Sequence, residues 1–207
     1  MNLVARPAFV AAIIGPIQAV MGWIVAGSLW PGYDHITQTI SDLAADDSPV
    51  KWVQSSFFLL GGTLSLIVAF WAPVLSMPGR IVIFLSGITT YGLTFFATPT
   101  QATSSFWHRV FAISTFVFMS AWPLFSMRFD RRYPWIVRPI AAIVSTAIFA
   151  VGSIAFLSVW TNPAQPMVGL WERVIAESQV LYMAVVIVVA WRFQRRAVLA
   201  SLKTAET

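Results

Sequence analysis

The chain has 207 residues, of which 58% are hydrophobic and only 10% charged, and its mean hydropathy is +0.76. A soluble domain carries nearer ~25% charged residues, so too little polar surface exists here to cover a water-soluble globule. Cysteine is absent, which excludes a disulfide framework, a thiolate metal site and a cysteine nucleophile.

Apolar stretches run at about 7–30, 52–76, 81–98, 106–127, 136–160 and 171–191, each near the ~20 residues that cross a hydrocarbon core as a helix. The predicted fold is all-α: a polytopic membrane protein with six transmembrane helices arranged as helical hairpins, forming one transmembrane domain over 1–207. The first stretch exceeds the ~7–15 apolar residues of a signal-peptide core and is expected to be retained. Small residues within the spans (Gly15/Ala19, Gly22/Ala26, Gly61/Gly62) read as close-packing positions, and Pro16, Pro73 and Pro123 as kink sites.

After the first span, Pro31-Gly32 signals a turn and Asp34 suits a helix N-cap. Ile36, Ile40, Leu43 and Ala44 then share one helical face, while His35, Gln38, Thr39 and Asp42 share another. This pattern predicts a short amphipathic outer helix at about 34–45, ended by Ser48-Pro49. Its polar face either meets water or closes as a lid over the helix ends.

The charges sort by side. With a cytoplasmic N-terminus, the inner side holds Arg6, Arg80, Arg128, Arg131, Arg132, Arg138, Arg192, Arg195, Arg196 and Lys203, and the outer side only Lys51, Arg109 and Arg173. The loops are short enough for this bias to set orientation, with both termini cytoplasmic in a cell (inner) membrane. Asp34, Asp42, Asp46, Asp47, Glu172 and Glu177 fall outside or near the outer surface, and Asp130 and Glu206 inside. The net charge of +5 is therefore a topology signal with contact to anionic lipid, and nucleic acid is not an expected partner.

A shift of 64 residues aligns 99–114 (PTQATSSFWHRVFAIS) with 163–178 (PAQPMVGLWERVIAES) without a gap. Pro99/Pro163, Gln101/Gln165, Trp107/Trp171, Arg109/Arg173, Val110/Val174, Ala112/Ala176 and Ser114/Ser178 coincide, which reads as a duplicated hairpin. His108 corresponds to Glu172 and Ile113 to Glu177, so the two copies differ where polarity matters. Glu177 lies six residues past Trp171, about 9 Å deeper along the helix. A carboxyl there needs a partner or a function, and Arg173, one turn earlier, is placed to pair with it. Both histidines, His35 and His108, fall on the outer side. The 31–42 segment, His108-Arg109 and Arg173-Glu177 are therefore expected to converge on one outer polar pocket.

The loop Tyr33-Asp34-His35-Ile36-Thr37-Gln38-Thr39-Ile40-Ser41-Asp42-Leu43 resembles an uncharacterised family of bacterial six-helix integral membrane proteins catalogued as a domain of unknown function. In that family the loop after helix 1 typically reads Tyr-Ser-His, five residues, then Ser-Glu-Leu. A Pro-containing turn and a His before helix 4 (Pro99, His108) and a Gly-x-x-x-Arg element opening helix 6 (Gly169, Arg173) are similar too. Asp42 stands where Glu is usual, and Ala44 where Gly is common. The resemblance covers essentially the whole chain and implies fold and location, with no established activity.

The expected function is binding of a lipid headgroup or small amphiphile in the outer pocket by His35, Asp42, His108, Arg109, Arg173 and Glu177, the two arginines holding an anionic group. Whether the protein is an enzyme stays open. The alternative is an intramembrane hydrolase with Ser41 as nucleophile and His35, Asp42, His108 and Glu177 as acid, base or metal-holding groups. Those four residues are of types that suit zinc, although no H-x-x-x-H or H-E-x-x-H pair fixes a geometry, so no metal is assigned. A structural or accessory membrane subunit is the second alternative, and the sequence does not decide between a protein partner and a homo-oligomer.

Overall fold

The computed structural model describes residues 3–101, 103 and 105–205; the side chain of Lys203 and the whole of Glu206, placed on the inner side above, lie outside the described residues. The described residues form seven α-helices: α1 (Arg6–Ser28), α2 (Ile40–Leu43), α3 (Lys51–Trp71), α4 (Met77–Phe95), α5 (Phe106–Phe125), α6 (Pro139–Trp160) and α7 (Val168–Ala205). A 3-10 turn at Trp135–Val137 precedes α6, and no strand is found among the described residues. The fold is all-α, as the hydropathy predicts.

Among the described residues, four helices are long and apolar enough to cross a membrane: Arg6–Ser28, Lys51–Trp71, Pro139–Trp160 and Val168–Ser201. α4 and α5 have 19 and 20 residues but fall short of the same apolarity. The outward surface suits lipid. Along α6, Ile140, Ile148, Val151 and Ile154 are all exposed, whereas Ser145 and Ser153 of the same helix are buried. A water-soluble helix would have the reverse pattern.

Two boundaries differ most from the sequence reading. α3 stops at Trp71 rather than 76 because Ala72, which precedes Pro73, leaves helical geometry (φ −117°, ψ 72°). Pro73 thus ends a helix instead of kinking one, while Pro16 and Pro123 do lie inside helices. α7 continues past 191 for a total of 38 residues, about 57 Å, well beyond a hydrocarbon core.

The long helices pack in chain order, α1 on α3, α3 on α4, α4 on α5, α5 on α6 and α6 on α7, and α7 returns to α1. Loops 29–50, 96–105 and 161–167 gather at one end, called here the lid end. There Asp46 N–H donates to Thr98 O at 2.9 Å and Leu170 N–H to Ile36 O at 3.0 Å. At the opposite end the arginines hold chain reversals. Arg80 donates to Ala69 O and Phe70 O at the end of α3, and Arg128 to Pro73 O, Val74 O and Leu75 O, satisfying carbonyls that a helix terminus leaves unpaired. Between α5, α6 and α7, Gln179 Nε2 donates to Ser120 Oγ (3.0 Å) and Ser153 Oγ (3.2 Å), a buried polar clasp.

Candidate functional site: a pinned lid over two cavities

The expected outer helix at 34–45 is reduced to the four residues Ile40–Leu43, because two capping devices follow one another. Asp34 closes the first: its carboxylate accepts from Ile36 N–H (2.9 Å) and Thr37 Oγ1 (2.8 Å), and its carbonyl from Gln38 N–H. Thr39 then adopts an extended conformation (ψ 162°) and caps the second, exchanging hydrogen bonds with Asp42 in a capping box. A continuous helix cannot run through Thr39. The signal Thr39-x-x-Asp42 was present in the sequence and outweighs the amphipathic periodicity around it.

Arg173 fastens this segment. Its Nη1 donates to His35 O (2.7 Å), Gln38 O (2.9 Å) and Gly169 O (2.8 Å), and its Nη2 to Tyr33 OH (2.5 Å). The Tyr33 hydroxyl in turn donates to Thr39 O at 2.6 Å. The guanidinium also lies 5.1 Å from the Trp23 ring and 5.7 Å from that of Tyr33. Next to it, Glu172 accepts from Ile40 N–H at 2.5 Å. Gly169 permits the close approach, since a Cβ there would overlap both the Gln38 carbonyl and Arg173. The polar segment is therefore a lid turned down onto α7.

Burial pushes the Tyr33 phenol well above its ordinary range despite the opposing pull of Arg173. Desolvation, reinforced by Arg173, pushes His35 below its usual value, with Asp34 opposing. The His35 ring packs edge-on against Trp23 and Tyr33, over Gly27, and its buried Nδ1 has no hydrogen-bond partner. Burial also raises Asp42, against the Thr39 hydrogen bonds that favour its charge.

Beneath the lid end lie two cavities. The outer one, about 500 Å³, is framed by Thr39, Asp42, Thr98, Gln101, His108, Arg109 and Glu172, over an apolar wall of Ile113, Phe116, Phe156, Leu157 and Trp160. His108 is 2% exposed, and its Nδ1 lies 3.0 Å from Phe96 O. A carbonyl only accepts, so Nδ1 carries the proton, and in the neutral ring Nε2 is the free acceptor. Arg109, by contrast, is exposed, and its guanidinium has no hydrogen-bond or ion-pair partner among the described residues. The inner cavity, about 170 Å³, reaches down among α1, α3, α4, α5 and α7 and contains Gln18, Gln54 and Glu177. The two cavities share Ser41, Ala112, Phe116 and Glu172 as a common wall.

The single pocket expected from sequence is thus divided. Asp42, His108 and Arg109 line the outer cavity, Glu177 the inner one, and His35 and Arg173 line neither. The expected Arg173–Glu177 ion pair does not form among the described residues. Arg173 turns up to the lid, and Glu177 accepts from Trp23 Nε1 at 3.1 Å. No group of three or more His, Asp or Glu side chains among the described residues is placed to hold a metal, so His35, Asp42, His108 and Glu177 do not assemble a zinc site. Sequence reasoning missed Glu172, Tyr33, Gln18 and Gln54. Tyr33 stands within the loop motif, and in the sequence Glu172 is marked only by its place among the outer acids and by its correspondence to His108 in the repeat. That pairing has a structural counterpart: both are buried at the start of an inward helix, and both satisfy a backbone group of the neighbouring loop. The two glutamines carried no signal beyond being polar within apolar runs.

The family model described as "Protein of unknown function (DUF998)" matches residues 13–192. No curated protein and no solved structure matches the chain.

Proposed function

The chain belongs to that family, whose description assigns no activity, and we propose that it binds an amphiphile with an anionic headgroup, such as a membrane lipid, in the outer cavity. The observation that carries this reading is the different employment of the two repeat-related arginines. Arg173 is committed to lid backbone, whereas the Arg109 guanidinium, without a partner among the described residues, stands at the rim of a cavity whose opposite wall is apolar. A headgroup would meet Arg109, Gln101 and Thr98, and an acyl chain would follow Phe116, Phe156, Leu157 and Trp160. Arg173 acts through the lid and does not hold the ligand.

In the same reading α4 and α5 also cross the bilayer, giving six spans. α3 ends and α6 begins at the end opposite the lid, so α4 and α5 either both cross or neither does, and both pack along helices that do. The arginine-rich end faces the cytoplasm of a bacterial inner membrane, with the lid outside. Because the native chain has no cysteine, Asp46→Cys and Arg131→Cys variants test this with an impermeant thiol reagent on intact cells. Labelling at 46 alone is expected; labelling at 131 alone would overturn the orientation.

Binding is tested by native mass spectrometry of protein purified in mild detergent. An anionic amphiphile should co-purify, with occupancy at least tenfold lower in Arg109→Gln. Equal occupancy in that variant, or no bound amphiphile, would reject the proposal. A metal bound to the wild type and lost from His108→Ala would favour the hydrolase instead.

A further inference from the structure

The inner cavity raises a question that the outer site does not answer. Three oxygens in groups lining it, Gln18 Oε1, Gln54 Oε1 and Glu177 Oε2, are buried and accept no hydrogen bond among the described residues. Gln54 is 2% exposed and Gln18 9%. Four neighbouring donors have other partners: Trp23 Nε1 donates to Glu177 Oε1, Gln179 Nε2 to Ser120 and Ser153, the Thr90 hydroxyl to Ser86 O, and that of Thr115 to Phe111 O. Among the described residues, two carboxyl groups, Glu172 and Glu177, line the cavity, and no Lys or Arg does. The rest of the wall is largely apolar, with Phe57, Phe58, Phe116 and Met119 among it. Gly61 makes room for the Gln18 amide, because a Cβ there would stand 3.1 Å from its Nε2.

We propose that the inner cavity is a binding site for a small amphiphilic amine in its ammonium form, with Glu177 as counter-ion and Gln18 and Gln54 as further acceptors. An ammonium presents three donors and no acceptor, which complements a set of orphaned oxygens beside a carboxylate. A phenyl or short alkyl body would fill the apolar remainder. The volume agrees: a cavity of about 150 Å³ takes a benzene, and this one is about 170 Å³. Entry is from the outer cavity past the shared wall of Ser41, Ala112, Phe116 and Glu172. This site is independent of the outer one, which offers an unpaired arginine to an anion.

The test uses the full chain in nanodiscs of zwitterionic lipid at pH 7, titrated calorimetrically with 2-phenylethylamine and with its neutral isostere 2-phenylethanol. The amine should bind at least tenfold more tightly than the alcohol, and this preference should fall below threefold in Glu177→Gln. Gln54→Leu, which alters the inner cavity alone, should weaken amine binding at least fivefold and keeps the test decisive if Glu177→Gln does not fold. Ala19→Phe, which fills the inner cavity, should abolish binding. Equal affinities, no binding of either probe, an amine preference surviving in Glu177→Gln, or amine binding unchanged in Gln54→Leu or Ala19→Phe would each overturn the proposal.

Discussion

Replacing Arg173 by Met tests whether one side chain holds the lid. Met keeps much of the apolar stem that packs near Trp23 and removes every donor. Three lid acceptors lose a charged partner: His35 O, Gln38 O and Tyr33 OH; the Gly169 carbonyl belongs to α7 itself. At about 1.5–3 kcal/mol per hydrogen bond to a charged group, the sum has a ceiling near ~9 kcal/mol. Released carbonyls at the lid end regain water, the Tyr33–Thr39 and Ile40–Glu172 bonds persist, and Nη1 shares two protons among three carbonyls, so the expectation is about 3 kcal/mol, below the ~4.5 kcal/mol of three full bonds at the bottom of that range. At ~1.4 kcal/mol per tenfold, lid opening becomes about a hundredfold more frequent. Hydrogen exchange by mass spectrometry reads this from peptides spanning 33–45, whose amides at Gln38, Ile40, Asp42, Ala44 and Ala45 are hydrogen-bonded. Arg173→Lys should fall between wild type and Met, since an ammonium lacks the planar fork that reaches several carbonyls at once. A change below threefold confined to those peptides, or an equal acceleration throughout the bundle, would refute the lid-pin argument.

Gly169→Ala should loosen the same peptides roughly tenfold with little change in the melting temperature of the bundle, because its Cβ would overlap the Gln38 carbonyl and displace lid rather than core; unaltered exchange would show that the contact is dispensable. His35 is held below its usual pKa by desolvation and by Arg173, so the closed lid binds fewer protons than the open one near pH 6.5. Its contribution is complete above that pH and is lost as pH falls through it, so lid exchange should quicken between pH 7.5 and 5.5 after correction for intrinsic rates. His35→Gln isolates this from the opposing effect of Asp42 and should flatten the pH dependence. Gln179→Leu should lower the thermal midpoint in detergent by about 2–10 °C, since it strips a buried donor shared by Ser120 and Ser153 at ~1–3 kcal/mol; an unchanged midpoint would mean that the two hydroxyls re-pair without cost.

How much was legible follows from the range of the forces involved. Hydropathy and proline placement act over one helix length, so the helices were readable to within about five residues except at the C-terminal end of α7, where a polar stretch past 191 continues the helix, and the other errors arose where local chemistry competed: Pro73 against an apolar run, Thr39 and Asp42 against an amphipathic stripe. The gathering of polar residues at the lid end was readable as well, because repeat, charge and depth all located it. Arg109 and Arg173 look equivalent in sequence, and nothing local distinguishes them. What separates them is that loop 33–39 lies over α7, so its carbonyls reach the guanidinium of Arg173 and leave that of Arg109 facing a cavity. Likewise Gln18, Gln54 and Glu177 lie on three helices far apart in the chain, and only the return of α7 to α1 brings their oxygens to one wall. The sequence by itself determined the helices and the end at which polarity collects, because burial of apolar side chains is set residue by residue. Which polar groups are already satisfied, and which are left to meet a ligand, was decided by tertiary contacts, because a hydrogen bond depends on a partner that packing alone supplies.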